Sequence, residues 1–407
     1  MENILFKTMT IKGFLLQKDK YSAVKNFVFC FINFRKIFLS LLKYFKSSHK
    51  IDGNLLNNKT LFITHSIGGG TGQFVRNFIS ENNLEESIIF LTNKFSKKTY
   101  LYEINYSPEE SILIFPKQIH KLLNVEFSTI YINSLFGFPD WKVFLKFIED
   151  YKNRHPFCHI EYFVHDFHCV CPHMNLMCKN EFCNLECEKN KCQFYKRVDF
   201  TKNINDWRKN WNMFLNNVDS IRCFSESSKL LIRKIYHSIP VNRFNIIPHS
   251  MSFSKFTPIK NIKDKTFNCA VIGFIDNAAK GIYVIEYLMK QFTKQNLQLT
   301  FIGIEESDIQ KYIKIQGNNK FLGKYNHDDL QDIIENENIS IVAFPSACPE
   351  TFSYLVSELI QMNIPVIGLN MGAQAEKLKL YPKGIVVDSK EDMANKLINL
   401  AKYKEEK

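Results

Sequence analysis

Glu350 and Glu358 lie eight positions apart, directly after Pro349, on either side of the run TFSYLVS. The pattern predicts a helix over 352–362, with Glu350 in the loop before it and Glu358 inside it. Thr351, Phe352 and Ser353 then present unsatisfied backbone N–H groups at the helix start, an arrangement suited to a phosphate. A loop carboxylate can accept hydrogen bonds from sugar hydroxyls. One further along the helix can take both hydroxyls of a ribose, because diols and carboxylates pair in bidentate fashion. The run IPVIGLNMGAQAE follows.

Three other segments carry chemistry. THSIGGGTGQFVRNF (64–78) takes a strand through Gly68, Gly69, Gly70 and Gly72 into a helical pattern. Such a turn either lets the backbone approach an anionic ligand or serves only as a tight strand-to-helix connection. It is neither a P-loop nor a strict G-x-G-x-x-G. EYFVHDF (161–167) closes a strand on His165 and Asp166. Ligand sites of open α/β sheets lie at the carboxyl ends of strands, where a His can donate to a hydroxyl or polarise a leaving group, or serve structure alone. In AVIGFIDNAAKGIYVIEYL (270–288), Gly273 ends a strand and Lys280 stands at a helix start. A lysine there can neutralise a diphosphate, or be a solvated turn residue.

The elements that position these residues alternate regularly. Short apolar runs at 61–64, 87–92, 129–133, 160–164, 220–224 and 245–247 read as buried strands. A second series lies at 269–272, 297–302, 339–344, 365–369 and 384–387, with helical patterns over 281–291, 330–335 and 352–362. This alternation predicts an α/β chain with parallel sheets covered on both faces. At 407 residues the chain exceeds the usual limit of one hydrophobic core. The polar, aperiodic stretch 248–265 marks the boundary between a first domain, 51–250, and a second, 251–407. Residues 155–200 interrupt the alternation as an insertion.

A formal net charge of +12 is concentrated at one end. Residues 1–50 hold ten Lys or Arg against Glu2 and Asp19, which leaves the rest of the chain near neutral. That segment interleaves Phe, Ile and Leu with Lys25, Arg35, Lys36, Lys43 and Lys46, and its uncharged stretch 26–34 is too short to span a bilayer. It reads as a basic amphipathic helix lying on an anionic membrane surface, or as a helix packed on the body with a solvated basic face. No small-residue cleavage site follows, so a cytoplasmic protein with reduced thiols is expected, peripheral on the inner face of the plasma membrane.

The four chemical segments, in this order, resemble the GT-B glycosyltransferases of the large retaining family 4. HSIGGGTGQFV resembles that family's N-terminal Gly-rich loop, FVHDF its strand-end His-Asp, Lys280-Gly281 its phosphate-binding Lys-Gly, and PETFSYLVSE its Glu-x7-Glu element. The resemblance implies two Rossmann-like domains with parallel sheets facing across a cleft. It implies a sugar transferred, with retention and without a required cofactor, from a nucleotide-diphosphate donor to a glycan or lipid-linked acceptor. Lipopolysaccharide or capsule assembly is the implied setting. By the same resemblance Glu350 holds donor hydroxyls and Glu358 the ribose. Lys280 and the backbone of Phe352, Ser353 and Tyr354 meet the diphosphate, and His165 lies beside the anomeric centre. Gly273 belongs to the donor side, while Gly69 and Gly70 line the cleft from the first domain. Two departures stand out: Phe274 follows Gly273 where many relatives carry Arg, and His249-Ser250 replaces an Asn-Gly.

Seven of the eleven cysteines fall between Cys158 and Cys192. HDFHCVCPHMNLMCKNEFCNLECEKNKC resembles a bacterial surface-polysaccharide subgroup whose corresponding four are Cys171, Cys183, Cys187 and Cys192. A closed structural zinc site would order such an insertion. Cys169, Cys178, His168 and His173 are rival ligands, and free thiols or disulfides are the other readings. Two further function classes compete. A Rossmann-type oxidoreductase leaves PETFSYLVSE unexplained and lacks a sharp dinucleotide fingerprint. A zinc-containing nucleic-acid-binding protein calls for basic residues beside the cysteines, whereas Lys179, Lys189 and Lys191 are offset by Glu181, Glu186 and Glu188.

Overall fold

The computed structural model describes residues 53–65, 70–84, 88–93, 102–105, 111–136, 138, 141–178, 180–187, 204–260 and 267–405. The basic segment 1–50, Gly69 and Cys192 lie outside the described residues.

The first half builds one sheet. In chain order its elements are β1 (Thr60–His65), α1 (Gly70–Glu81), β2 (Ile88–Asn93), β3 (Tyr102–Asn105), β4 (Ser111–Ile114), β5 (Thr129–Ile132) and α2 (Trp141–Arg154). After them come β6 (His159–Phe163), the small ribbon β7 (Met177–Cys178) and β8 (Glu181–Phe182), α3 (Ile204–Asn217), β9 (Ser220–Cys223), α4 (Glu226–Ile235) and β10 (Phe244–Ile246). The sheet order is β10-β9-β6-β5-β1-β2-β3-β4. Strands β10 through β2 are parallel, but β3 and β4 return antiparallel. An all-parallel sheet was the expectation, so this edge differs. The reason is local: β3 alternates buried and half-buried residues, the pattern of a strand covered on one face, and an antiparallel return needs no crossover helix.

The second half contains β11 (Cys269–Ile272), α5 (Ile282–Lys294), β12 (Leu299–Ile302), β13 (Lys320–Phe321), α6 (Leu330–Asn336), β14 (Ile341–Phe344), α7 (Tyr354–Gln361), β15 (Val366–Leu369), α8 (Gly372–Leu380), β16 (Gly384–Val387) and α9 (Lys390–Glu405). Its sheet runs β13-β12-β11-β14-β15-β16, every pair parallel, the doubly wound order 3-2-1-4-5-6. Strands β11, β12, β14 and β15 are buried at every position, as a sheet covered on both faces requires. One apolar cluster, with Ile285, Leu288, Phe292 and Leu397, packs on one face, and another, with Val342, Val356 and Leu359, on the other.

Two glycines are required by close approach. Gly281, at φ 89°, precedes α5, and a Cβ there would stand 1.9 Å from the Pro345 carbonyl oxygen. Gly372 has φ 65°, and its Cβ would meet the Glu350 nitrogen at 2.5 Å. These contacts seat the loop after β14 against both neighbouring loops.

The insertion joins the halves. Cys171, Leu176 and Leu185 pack in the core of the first sheet, while Met177, one residue past Leu176, is buried in the core of the second. An aromatic cluster of Phe62, Phe74, Phe78, Phe163 and Phe224 from the first half closes around Phe352 from the second. Among the described residues no helix is long and apolar enough to cross a membrane.

Candidate functional site

A cavity of about 630 Å³ opens between the two sheets at the carboxyl ends of their strands. It is lined by Gly70 at the start of α1, by His165 and Asp166 after β6, and by Gly273 after β11. Lys280 before α5 and the loop 344–353 leading into α7 complete it. Four segments distant in sequence converge there because each lies in a connection that follows the end of a strand.

On the second-half wall, the Lys280 ammonium donates to Glu350 Oε1 at 3.1 Å, and Ser346 Oγ donates to the same oxygen at 3.3 Å. The Lys280 side chain is 53% exposed and that of Glu350 16%. The Glu350 carboxylate is the main cause of a raised Lys280 pKa, so this lysine is fully charged at neutral pH. Gln374, wholly buried on α8, orients the loop: it accepts from the Glu350 N–H at 3.0 Å and donates to the Cys348 carbonyl at 2.8 Å.

The start of α7 is unusual. Ser353 sits at φ 65°, ψ 85°, in the left-handed region, and makes no side-chain capping bond. The first N–H groups of α7 therefore lack the usual side-chain acceptor and can serve an anion. Phe352, Ser353 and Tyr354 all line the cavity. Tyr354 comes close to the glycine loop, since a Cβ on Gly70 would lie 3.2 Å from its ring.

On the opposite wall the His165 ring lies 4.7 Å from Phe74, 4.6 Å from Phe224 and 5.3 Å from His249, centroid to centroid. Among the described residues its Nε2 is buried with no hydrogen-bond partner, as are both ring nitrogens of His249 and the hydroxyls of Ser353 and Tyr354. Burial, reinforced by the neighbouring His249 and His65, holds the His165 pKa well below the usual imidazole value. His165 is therefore neutral at pH 7. Asp166 accepts from Ser134 Oγ at 3.1 Å and from the His168 N–H at 2.8 Å, while burial raises its pKa to about 6.

Hydrogen bonds tie the walls together. Thr351 Oγ1 donates to the His165 carbonyl at 3.1 Å. The Glu376 carboxylate on α8 accepts from the N–H groups of Glu226 and Ser227, at 3.2 and 2.8 Å, at the start of α4.

Thus Gly70, His165, Gly273, Lys280, Glu350, Phe352, Ser353 and Tyr354 share one cavity. Glu358 does not line it. That side chain is 7% exposed on α7 and is hydrogen-bonded to His327 Nε2 at 2.8 Å. The His327 ring packs near Phe253 and Phe256. Of the cysteines expected to bind metal, Cys171 is buried and Cys183 and Cys187 half-buried on the same core. Arg208 donates to Cys187 Sγ at 3.2 Å. Among the described residues no group of three or more His, Cys, Asp or Glu side chains is placed to hold a metal ion.

Sequence reasoning gave no role to Gln374, Glu376, Lys377, Ser346 or the cavity-lining pair Met174 and Asn175. GAQAEK was visible as a motif, but nothing in it says which polar side chains turn inward.

Residues 255–407 match the family model described as glycosyl transferases group 1. No curated protein matches the sequence. The fold resembles that of Anabaena HepE, solved with UDP, at 13% identity and a TM-score of 0.53, covering 85% of this chain and 90% of that one. Sucrose-phosphate synthase from Thermosynechococcus elongatus is similar at 14% identity and 0.54, covering 86% and 90%. The lipopolysaccharide outer core galactosyltransferase WaaB is similar at 13% and 0.54, covering 85% and 90%. The fold is that of two Rossmann-like domains resembling GT-B glycosyltransferase structures, and the second of them matches the glycosyl transferases group 1 model.

Proposed function

We propose that the cavity binds a nucleotide-diphosphate sugar on its second-half wall and transfers the sugar, with retention at the anomeric carbon, to a glycan or lipid-linked acceptor entering from the first half. The observation that carries this reading is the convergence of the Lys280–Glu350 pair and the uncapped start of α7 opposite a neutral His165. Lys280 and the N–H groups around Ser353 meet the diphosphate, whose charge grows as the bond to the sugar breaks. Glu350 holds sugar hydroxyls. His165 donates to the sugar near its reacting carbon and adds no charge to the site. Gly70 and Gly273 allow close approach on either side.

Glu358 is proposed to meet the ribose by exchanging His327 for the ribose diol. Lipopolysaccharide, capsule or related surface-polysaccharide assembly is the proposed setting, in keeping with the likeness to WaaB. The basic segment 1–50 is proposed to seat the enzyme on the anionic inner face of the plasma membrane. A structural zinc held by Cys171, Cys183, Cys187 and Cys192 would order the insertion and take no part in the chemistry. The first three of these cysteines pack on the same core, and Cys192 lies outside the described residues. Metal analysis of protein purified without added metal tests this, and less than about half an equivalent of zinc counts against it.

The function is tested with a panel of nucleotide sugars, scored by thermal shift and donor hydrolysis, on wild type, Glu350→Gln and Glu358→Gln. One donor is expected to stabilise and be hydrolysed by wild type, with both losses visible in Glu350→Gln. Indifference of both variants would defeat the site assignment.

A further inference from the structure

Lys377, on α8, stands one layer behind the cavity wall. Its ammonium lies 3.4 Å from the centroid of the Phe352 ring. It donates to the Ser353 carbonyl at 3.2 Å and to Ser357 Oγ, so its contacts are a ring face, a carbonyl and a hydroxyl. Ser353 is the residue that needs holding, because a side chain with a Cβ adopts φ 65° only at a cost. Ser357 Oγ donates to the same carbonyl at 3.2 Å, giving the strained turn two donors. Phe352 and Ser353 face the cavity directly. Lys280 pairs with Glu350, whereas among the described residues Lys377 makes no ion pair, so an anion at this turn would add the partner it lacks.

We propose that Lys377 is a positioning residue for the donor's diphosphate: it pins the Phe352–Ser353 turn, and the arriving anion stabilises its charge. The inference rests on the reading of the cavity as a donor site. The groups around it set its protonation. Burial lowers the Lys377 pKa to about 7, Glu350 from the loop before α7 and Glu376 on its own helix oppose that shift, and His249 faces it from the linker. A diphosphate placed against the turn favours the ammonium, so binding draws a proton from solvent wherever the free lysine is partly neutral.

The test is calorimetric titration of the full chain with UDP at pH 8, in HEPES and in Tris, whose different ionisation enthalpies reveal proton uptake. GDP and ADP are run in parallel. Wild type is expected to take up about half a proton or more per nucleotide bound. Lys377→Met should take up none and bind roughly tenfold or more weakly. Lys377→Arg should bind within a few-fold of wild type yet take up no proton, because a guanidinium stays charged. Binding by wild type without proton uptake, or equal uptake in Lys377→Met, overturns the proposal. Should Lys377→Met fail to fold, wild type and Lys377→Arg decide between these outcomes. If none of the three nucleotides binds wild type between pH 6 and 8, the donor-site reading itself falls and this inference falls with it.

Discussion

The Glu376 carboxylate on α8 caps the start of α4 in the other sheet's domain, accepting from the N–H of Ser227 at 2.8 Å and of Glu226 at 3.2 Å. Ser225 already serves the Ser228 N–H of the same helix, so Glu376 completes a helix start whose remaining donors point across the domain boundary. One residue along, Lys377 braces the cavity wall. The same turn of α8 therefore joins the domains and shapes the site.

Removing that acceptor should loosen the domains more than it unfolds either one. Glu376→Ala is expected to cost about 1–2 kcal/mol in urea unfolding, with faster proteolysis near the linker 248–260. Glu376→Gln keeps an acceptor oxygen and should lose less. Equal stability of wild type and Glu376→Ala would show that the contact does not hold the domains together.

The Lys280–Glu350 pair should matter for ligand and not for stability. A pair with a half-exposed lysine contributes about 0–1 kcal/mol to folding, so Lys280→Ala should leave Tm within roughly 2 °C of wild type. The loss of one charge-assisted contact to the diphosphate should raise the donor Kd about ten- to a hundredfold. A thermal melt and a donor titration on the same sample separate the two effects.

Both histidines of the aromatic cluster should make stability sensitive to acid. Burial places the His249 pKa at about 3 and that of His165 well below 6.5, whereas the unfolded chain binds protons near 6.5. Below that value the unfolded state holds more protons, so stability falls as pH drops from about 6.5 towards 3. The slope is roughly 1.4 kcal/mol per unit for each histidine once the unfolded form is protonated. His249→Phe should flatten the loss between pH 6 and 4.5, measured by urea unfolding at each pH. An unchanged slope would mean that His249 is not buried as a neutral ring.

Gly281 gives the sharpest backbone test. Gly281→Ala brings a Cβ to 1.9 Å from the Pro345 carbonyl oxygen at φ 89°, so a loss of about 3 kcal/mol or more is expected, or failure to fold. Pro345 belongs to the loop that carries Glu350, and donor affinity should fall along with stability.

Much of this was readable beforehand, for a physical reason. Fully buried strands such as β11 and β15 announce themselves as apolar runs between polar punctuation, and the structure places both where that pattern put them. Glu350, Lys280 and His165 were recognisable because each stands at a strand or helix end, where an α/β fold gathers its ligand contacts. The β3–β4 hairpin was not, since YEIN alternates apolar and polar over only four residues and carries too little pattern to separate from loop. Nor was the burial of Glu358, because helical spacing does not say which neighbour a side chain will meet, and His327 lies 31 residues away in sequence. Glu376 and Lys377 look like any polar pair on an amphipathic helix. Their roles come from what packs against them, α4 of the first half for Glu376 and the turn before α7 for Lys377.

The most direct measurement is a crystal structure of the chain bound to the nucleotide-diphosphate sugar that stabilises it most. The account predicts the diphosphate within hydrogen-bonding distance of Lys280 Nζ and of the backbone N–H groups at the start of α7, with the sugar against Glu350 and facing His165. A ligand seated elsewhere, for instance in the separate groove between Phe182 and Tyr287, with the Lys280–Glu350 pair untouched, would contradict it.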